Sequence, residues 1–217
     1  GYQNIIQGAQ QIVKNWKPTI DIDPSWPRVN LGNICKQIQY GISEKMNENE
    51  IGFKTFRMNE IFDGFAFDNT KMKCSNISKE EFLKFKLQKG DILFNRTNSY
   101  ELVGRTGLFN LDGDYCFASY LIRLTPNEEV DPYFLNSYMN SQEFQSGIKQ
   151  YATKSIGQSN INATSLKNYN IPLPPLKIQQ QIVEKIEAER ALVESAKKLI
   201  QIYEQKTKTT LAKLWEE

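Results

Sequence analysis

From Lys177 to Glu217 the chain runs for 41 residues without a glycine or a proline. No other feature restricts the fold as strongly. Apolar side chains recur along it with a seven-residue repeat. With Ile182 placed at d, the a positions fall on Ile186, Val193, Ile200, Thr207 and Leu214, and the later d positions on Glu189, Ala196, Tyr203 and Thr210. Leu192 and Leu199 widen the stripe at g, and from Ile178 onward seven basic residues balance seven acidic ones. This predicts one continuous helix, about 60 Å long at 1.5 Å per residue. A helix of that length outreaches a small domain. The stripe of Ile182, Ile186, Val193, Ala196, Ile200, Tyr203 and Leu214 is therefore expected to face a partner helix. The rival, an amphipathic helix lying on its own domain, is disfavoured by length. The polar seam positions Glu189, Thr207 and Thr210 are suited to fixing register.

Ahead of this helix, Ile171-Pro172-Leu173-Pro174-Pro175-Leu176 reads as a stiff extended connector. At the other end Ile5, Ile6, Ala9, Ile12, Val13 and Trp16 recur at helical spacing, and Lys17-Pro18 closes that run. Prolines at 18, 24 and 27 make the next stretch an extended linker. Residues 28–171 break into short apolar runs separated by turn residues. Strands are expected at 28–31, 34–38, 52–57, 91–94, 102–109 and 117–124, and helices at 79–85 and 132–151. The organisation is thus a short helix (1–17), a linker (18–27), a mixed α/β (α+β) domain (28–171) without regular βαβ alternation, and a connector with the long helix (172–217).

Composition removes several function classes. Histidine is absent from all 217 residues, so the usual general base, the commonest metal ligand and every Ser-His or Cys-His arrangement are missing. Cys35, Cys74 and Cys116 form no C-x-x-C pair, which speaks against a zinc site or a disulfide framework. No window of about 18 apolar residues exists, and no basic-then-apolar secretory pattern opens the chain, so a cytoplasmic protein with no membrane role is expected. The first residue is Gly1 rather than Met, as in a fragment of a longer chain. The net charge is only +2, but its distribution is uneven. Residues 144–183 carry Lys149, Lys154, Lys167 and Lys177 and no Asp or Glu, the absence of repulsion that a phosphate-facing surface requires. An uncharged polar loop region would share that composition.

Two polar runs stand out within the central domain. Asn95-Arg96-Thr97-Asn98-Ser99 follows the apolar Ile92-Leu93-Phe94, and closing a hairpin, cradling a phosphate and reading a base are all open to it. Its guanidinium suits guanine O6 and N7, and its amides suit adenine N6 and N7. Lys154, Ser155, Gly157, Gln158, Asn160 and Asn162 offer the same donor types, with a glycine that admits close backbone approach. Tyr40, Ser43, Arg57, Asn59 and Arg105 are further candidate contacts. Catalytic motifs fail: Gly104-Arg105-Thr106-Gly107 lacks the phosphate-loop frame. Leu173-Pro174-Pro175-Leu176 is superficially similar to the polar-Pro-Pro-aromatic loop of adenine methyltransferases but lacks both the leading Asp or Asn and the aromatic. No carboxylate cluster with a nearby lysine suggests a metal-dependent nuclease.

Four segments in order carry a family resemblance: 90–99 with Glu101-Leu102-Val103-Gly104, Phe117-Ala118-Ser119-Tyr120-Leu121-Ile122-Arg123, Gly157-Gln158-Ser159-Asn160-Ile161-Asn162, and the proline connector followed by Gln179-Gln180-Gln181-Ile182-Val183. Over essentially its whole length the chain resembles the specificity subunits of type I restriction-modification systems. The resemblance implies a target recognition domain reading one half of a bipartite site in double-stranded DNA, and a conserved helix that sets spacing and binds the modification subunits. It further implies no catalysis and no cofactor on this chain, S-adenosylmethionine being held by the modification subunits, with a restriction (motor-nuclease) subunit as a further partner. Full-length members have two recognition domains and two conserved helical regions, whereas here there is one of each, the helix at residues 4–16 resembling the end of a central region. A fragment, or a half-subunit that forms a homodimer through its helix, would account for this. A coiled-coil scaffold without DNA contact and a free-standing methyltransferase or nuclease are the rival readings.

Overall fold

The computed structural model describes the backbone of residues 2–69 and 71–215, and their side chains except at 2–5, 12, 14, 15 and 210–215. Helix α1 (Tyr2–Asn15) precedes strands β1 (Arg28–Asn30), β2 (Cys35–Tyr40), β3 (Met46–Asn47), β4 (Phe53–Phe56), β5 (Ile61–Phe62), β6 (Phe65–Ala66) and β7 (Cys74–Ser75). After α2 (Lys79–Phe85) come β8 (Ile92–Asn95), β9 (Thr97–Asn98), β10 (Thr106–Leu108), β11 (Tyr115–Phe117) and β12 (Leu121–Pro126). Helices α3 (Pro132–Asn140) and α4 (Gln142–Ile148) lead to β13 (Thr153–Ser155), β14 (Gln158–Asn160), α5 (Ala163–Lys167), β15 (Asn170–Pro172) and the long α6 (Leu176–Trp215). The fold is a mixed α/β domain followed by a long C-terminal helix.

The central sheet has the order β2-β12-β8-β10-β6-β5, and a second sheet runs β11-β4-β7-β3. Strand β8 explains why both are needed. Its four residues are all buried, with Ile92 and Phe94 in one apolar cluster and Leu93 in another. Successive side chains of a strand point to opposite faces, so both faces of β8 must be covered. On one side lie Phe134, Leu135, Tyr138 and Met139 of α3 with Phe144 and Ile148 of α4. On the other lie Phe56 of β4 and Tyr115 and Phe117 of β11.

Local sequence accounts for the helix ends. Ser78 caps α2 by accepting from the Glu81 N–H at 3.1 Å, and Asp131 caps α3 by accepting from Tyr133 N at 2.8 Å, with Pro132 at the first helical position. The helix expected over 132–151 is broken at Ser141, whose extended backbone ends α3 and whose hydroxyl accepts from Phe144 N at 3.4 Å to start α4. The strand expected over 117–124 is likewise two strands in two sheets, β11 and β12, separated by Ala118-Ser119-Tyr120. In the strand expected over 102–109 only Thr106–Leu108 pairs, because residues 101–104 form a turn.

Helix α6 is rooted by Gln179, which is fully buried. Its Oε1 accepts from Asp131 N at 2.8 Å, and its Nε2 donates to the carbonyls of Pro174 at 2.8 Å and Glu129 at 3.1 Å. One turn on, Ile182 and Val183 pack against the main cluster, and Ile186 is 1% exposed. Arg190 then lies over Phe65 (4.9 Å) and Trp16 (5.4 Å) and donates to the Asp63 carbonyl at 3.2 Å. Beyond it α6 meets α1 antiparallel, with Trp16 beside Arg190 and Gln10 bonded to Glu204.

The expectation that the whole stripe faces another molecule is therefore corrected. Ile186 is buried and Ile182 half-buried on their own domain because the first turns of α6 lie along it, and Val193, Ala196 and Ile200 are half-buried, Val193 and Ile200 sharing a cavity with Val13 of α1. Tyr203 remains exposed, as do Leu192, Leu199 and Ile202. The side chain of Leu214 lies outside the described residues.

Candidate nucleic-acid interface

The polar run after β8 does close a hairpin, since β8 and β10 are antiparallel with Phe94 opposite Thr106. It does more than that. Residues 97–98 form β9, which pairs with β14, which pairs with β13, so the order β13-β14-β9 joins the two runs singled out in the sequence in one small sheet. Asn160 lies opposite Thr97 and Ser159 opposite Asn98. Chain segments some sixty residues apart (97 and 160) thus share one surface.

Arg96 fastens them. Its Nη2 donates to Asn160 Oδ1 at 3.0 Å and its Nη1 to the Ser119 carbonyl at 3.3 Å, while the guanidinium lies 4.8 Å over the Tyr40 ring. Asn160 in turn donates from Nδ2 to Thr97 Oγ1 at 3.0 Å, and the Arg96 carbonyl accepts from Ile161 N at 2.9 Å. The Tyr40 hydroxyl accepts from Ala163 N at 2.8 Å, at the start of α5. Arg96 is half-buried, and its Nε is buried without a hydrogen-bond partner among the described residues.

Backbone hydrogen bonds extend this edge to the other candidate loops. Arg96 N donates to the Tyr120 carbonyl (3.1 Å), Ser119 N to Ile42 O (2.8 Å), Ile42 N to Phe117 O (2.8 Å) and Ala118 N to Phe56 O (2.8 Å). Ser43 and Arg57 directly follow Ile42 and Phe56. Close approach at this crossing needs a glycine, because a Cβ on Gly41 would stand 2.4 Å from the carbonyl oxygens of both Phe117 and Ala118. One continuous edge therefore carries segments 40–43, 56–59, 95–99, 118–120 and 153–162.

The side chains along it divide by exposure. Asn95 (2%) and Thr97 (6%) are buried; Thr97 accepts from Asn160, while Asn95 is tied in by its backbone and its Oδ1 has no hydrogen-bond partner among the described residues. Asn98 Oδ1 accepts from Ser99 N and Asn162 Oδ1 caps α5 through Ser165 N, both at 2.8 Å. Arg57 clamps the fully buried Glu60, with Nη2 at 2.6 Å and Nε at 3.3 Å from its two carboxylate oxygens, so that its charge is matched locally. Ser43, Asn59, Arg105, Lys154, Ser155, Gly157 and Gln158 are exposed, and Tyr40 is 40% exposed.

Sequence reasoning singled out the lysines at one corner of this edge but overlooked its exposed aromatic residues. Tyr100 is 45% exposed, with the ammonium groups of Lys154 (4.9 Å) and Lys149 (5.6 Å) over its ring, and Tyr120 is 44% exposed beside Arg96. The pKa of Lys149 is lowered from the usual lysine value, first by burial and then by the nearby charges of Arg105 and Lys17. Four cations, Lys17, Arg105, Lys149 and Lys154, share that corner. The signal for Tyr120 was the polar interruption of the apolar run from Phe117 to Leu124. Among the described residues no group of three or more His, Cys, Asp or Glu side chains could hold a metal ion, and no helix is long and apolar enough to cross a membrane.

The type I restriction modification DNA specificity domain model matches residues 25–204. The type I restriction enzyme MjaX specificity subunit of Methanocaldococcus jannaschii is 30% identical over 207 residues, covering 93% of this chain and 48% of that protein. The EcoKI specificity subunit of Escherichia coli K12 is 25% identical over 203 residues, covering 91% of this chain and 44% of that protein. The chain spans about half the length of these curated relatives. Among solved structures, a chain of a type I R-M system superposes with a TM-score of 0.71 at 22% identity, covering 96% of this chain and 52% of that one. The HsdS subunit of Thermoanaerobacter tengcongensis gives a TM-score of 0.60 at 22% identity over 91% of this chain and 47% of that one.

Proposed function

The chain belongs to the type I restriction-modification DNA specificity family, and from that premise we propose that it reads one half of a bipartite DNA site for separate modification subunits. The observation that carries this reading is the convergence of polar segments from five parts of the sequence onto one hydrogen-bonded edge. Scattered solvated loops would have no reason to be stitched together. A surface that must present side chains in fixed relative positions to base edges would.

In this reading the exposed donors Gln158, Ser43 and Asn59 face bases, and Lys149, Lys154 and Arg105 neutralise phosphates. Arg96 and Asn160 hold the two halves of the surface in register. The chain supplies the address and no catalysis. S-adenosylmethionine belongs to the modification subunits, and a restriction subunit joins the same assembly. Helix α6 fixes the distance to a second recognition unit, and its exposed stripe of Leu192, Leu199, Ile202 and Tyr203 receives a helix of that unit. The second unit is another copy of this chain or the other half of a longer subunit.

Selection from a random duplex pool by the chain together with its modification subunits tests the reading. Enrichment of a defined half-site is expected, with methylation absent when this chain is omitted. Binding with no sequence enrichment would refute it, and adenine methylation by the chain alone would restore the methyltransferase alternative.

A further inference from the structure

The tip of the β13–β14 hairpin has no structural reason for its composition. Ser155 lies opposite Gln158, so the loop is the two residues Ile156-Gly157. Positive φ falls on Gly157 alone (75°), the sign pattern of a type II turn, whose second loop residue favours glycine. The first loop residue has no such demand, and turn positions favour small polar residues or proline. Here it is isoleucine, with a relative accessibility of 105%, the highest among the exposed large apolar residues described. Nothing stands within 4 Å of where a Cβ on Gly157 would lie, so the tip is clear of the rest of the fold.

The hairpin also overhangs its sheet. Strand β9 pairs only with Ser159 and Asn160, which leaves Ser155 to Gln158 projecting beyond it by about two residues, roughly 6 to 7 Å. Ser155 and Gln158 on the projecting part are exposed, as are Thr153 and Lys154 at its base, and residues 144–183 hold no carboxylate that would repel phosphate. A two-stranded ribbon of this kind fits the major groove, which is about 12 Å wide, and is too broad for the minor groove of about 6 Å. In the major groove the one apolar group on a base edge is the thymine 5-methyl, and an amide such as that of Gln158 pairs with adenine N6 and N7.

Building on the DNA-reading function proposed above, we propose that the β13–β14 hairpin enters the major groove and that Ile156 is a specificity-determining residue that contacts a thymine methyl group. The contact removes the exposed isoleucine from water and discriminates thymine from cytosine, which lacks the methyl. Lys154, 4.9 Å from the Tyr100 ring at the hairpin's base, is placed for the flanking phosphate.

The test uses the full chain and a synthetic duplex of the sequence that it selects from a random pool. Each thymine is replaced in turn by deoxyuridine, which deletes only the methyl, and affinity is read by fluorescence anisotropy at fixed salt. At one position the wild type is expected to lose about fourfold, the value for one buried methyl group. Ile156→Ala is expected to bind the thymine and uracil duplexes equally, and Ile156→Val to keep the discrimination. Because residue 156 touches nothing in the fold, circular dichroism and melting temperature of the variants should match the wild type. If no thymine position distinguishes wild type from Ile156→Ala, the proposal falls. It also falls if Ile156→Ala weakens binding yet keeps the wild-type response to uracil, because the side chain then acts elsewhere than at the methyl. Failure of the wild-type chain to select any sequence would overturn the DNA-reading function itself, a result separable from either of these.

Discussion

Arg96 offers the sharpest division between a side chain that reads DNA and one that builds the reading surface. Two of its three guanidinium nitrogens donate within the protein, to Asn160 at 3.0 Å and to the Ser119 carbonyl at 3.3 Å, and the group stacks on Tyr40 at 4.8 Å. A hydrogen bond from a charged donor contributes about 1.5 to 3 kcal/mol and a partly exposed cation–π contact about 0.5 to 1. Both are discounted here, since Arg96 is half-buried and Tyr40 is 40% exposed, so Arg96→Ala should destabilise the fold by about 2 kcal/mol. The decisive quantity is its coupling to Asn160. Asn160→Ala removes the same bond from the other side and also releases Thr97 Oγ1. The double variant should fall short of the sum of the singles by about 1 kcal/mol or more. Urea unfolding followed by tryptophan fluorescence measures this, with an unchanged m-value as the condition for comparison. On DNA, Arg96→Ala should weaken binding at every sequence, because β9 and β14 lose their common register. Additivity within about 0.5 kcal/mol, combined with relaxed preference at a single base pair, would refute the fastening role and make Arg96 a base reader.

Gly41→Ala places a methyl group 2.4 Å from two carbonyl oxygens and must push the 40–43 and 117–120 segments apart, costing about 3 kcal/mol or more by thermal unfolding; a loss below about 1 would show the crossing to be pliable. Lys154→Ala should lower affinity uniformly and make the slope of log K against log salt shallower by about 0.9, and an unchanged slope removes it from the phosphate contacts. Glu60→Ala strips the carboxylate from Arg57 and Asn69, and because Glu60 is fully buried it should cost about 3 kcal/mol in denaturant melts, whereas Asn59→Ala next door, on the surface, should cost less than about 0.5. Leu199→Glu, at a site 55% exposed, should leave unfolding unchanged but abolish association through α6 in sedimentation velocity, and retained association would place the interface elsewhere.

What was legible in the sequence follows from where each signal resides. Helix α2 was expected at Lys79–Phe85 and found there, since its cap and acidic first turn are local. Strands β2, β4 and β8 lie within about two residues of expectation because apolar runs between turn residues mark them. The two-residue strands β3, β7 and β9 were invisible, as they exist only through partners some twenty residues or more along the chain, and the local pair β5–β6 is too short to leave an apolar run. The same applies to the candidate site. Residue type singled out Arg96, Asn160 and Tyr40 one at a time, but the sheet uniting them is a property of pairing across some sixty residues. Buried amides such as Asn95 and exposed donors such as Gln158 look alike in a sequence, and only the packing separates them.

Helix α6 shows how a correct periodicity can carry an incomplete assignment. A seven-residue repeat demands that its stripe be covered, but it does not say by what. The a positions Val193 and Ile200 share a cavity with Val13 of α1, so this part of the demand is met within the chain. Among the described residues beyond Ile186, the large apolar side chains still exposed are Leu192 and Leu199 at g, Tyr203 at d and Ile202, on a face turned from the a-centred seam. A partner helix approaching that face would make α6 the middle of three helices rather than one half of a pair. The repeat is then broader than a two-stranded seam requires, and the g-position leucines are the residues that distinguish the two arrangements.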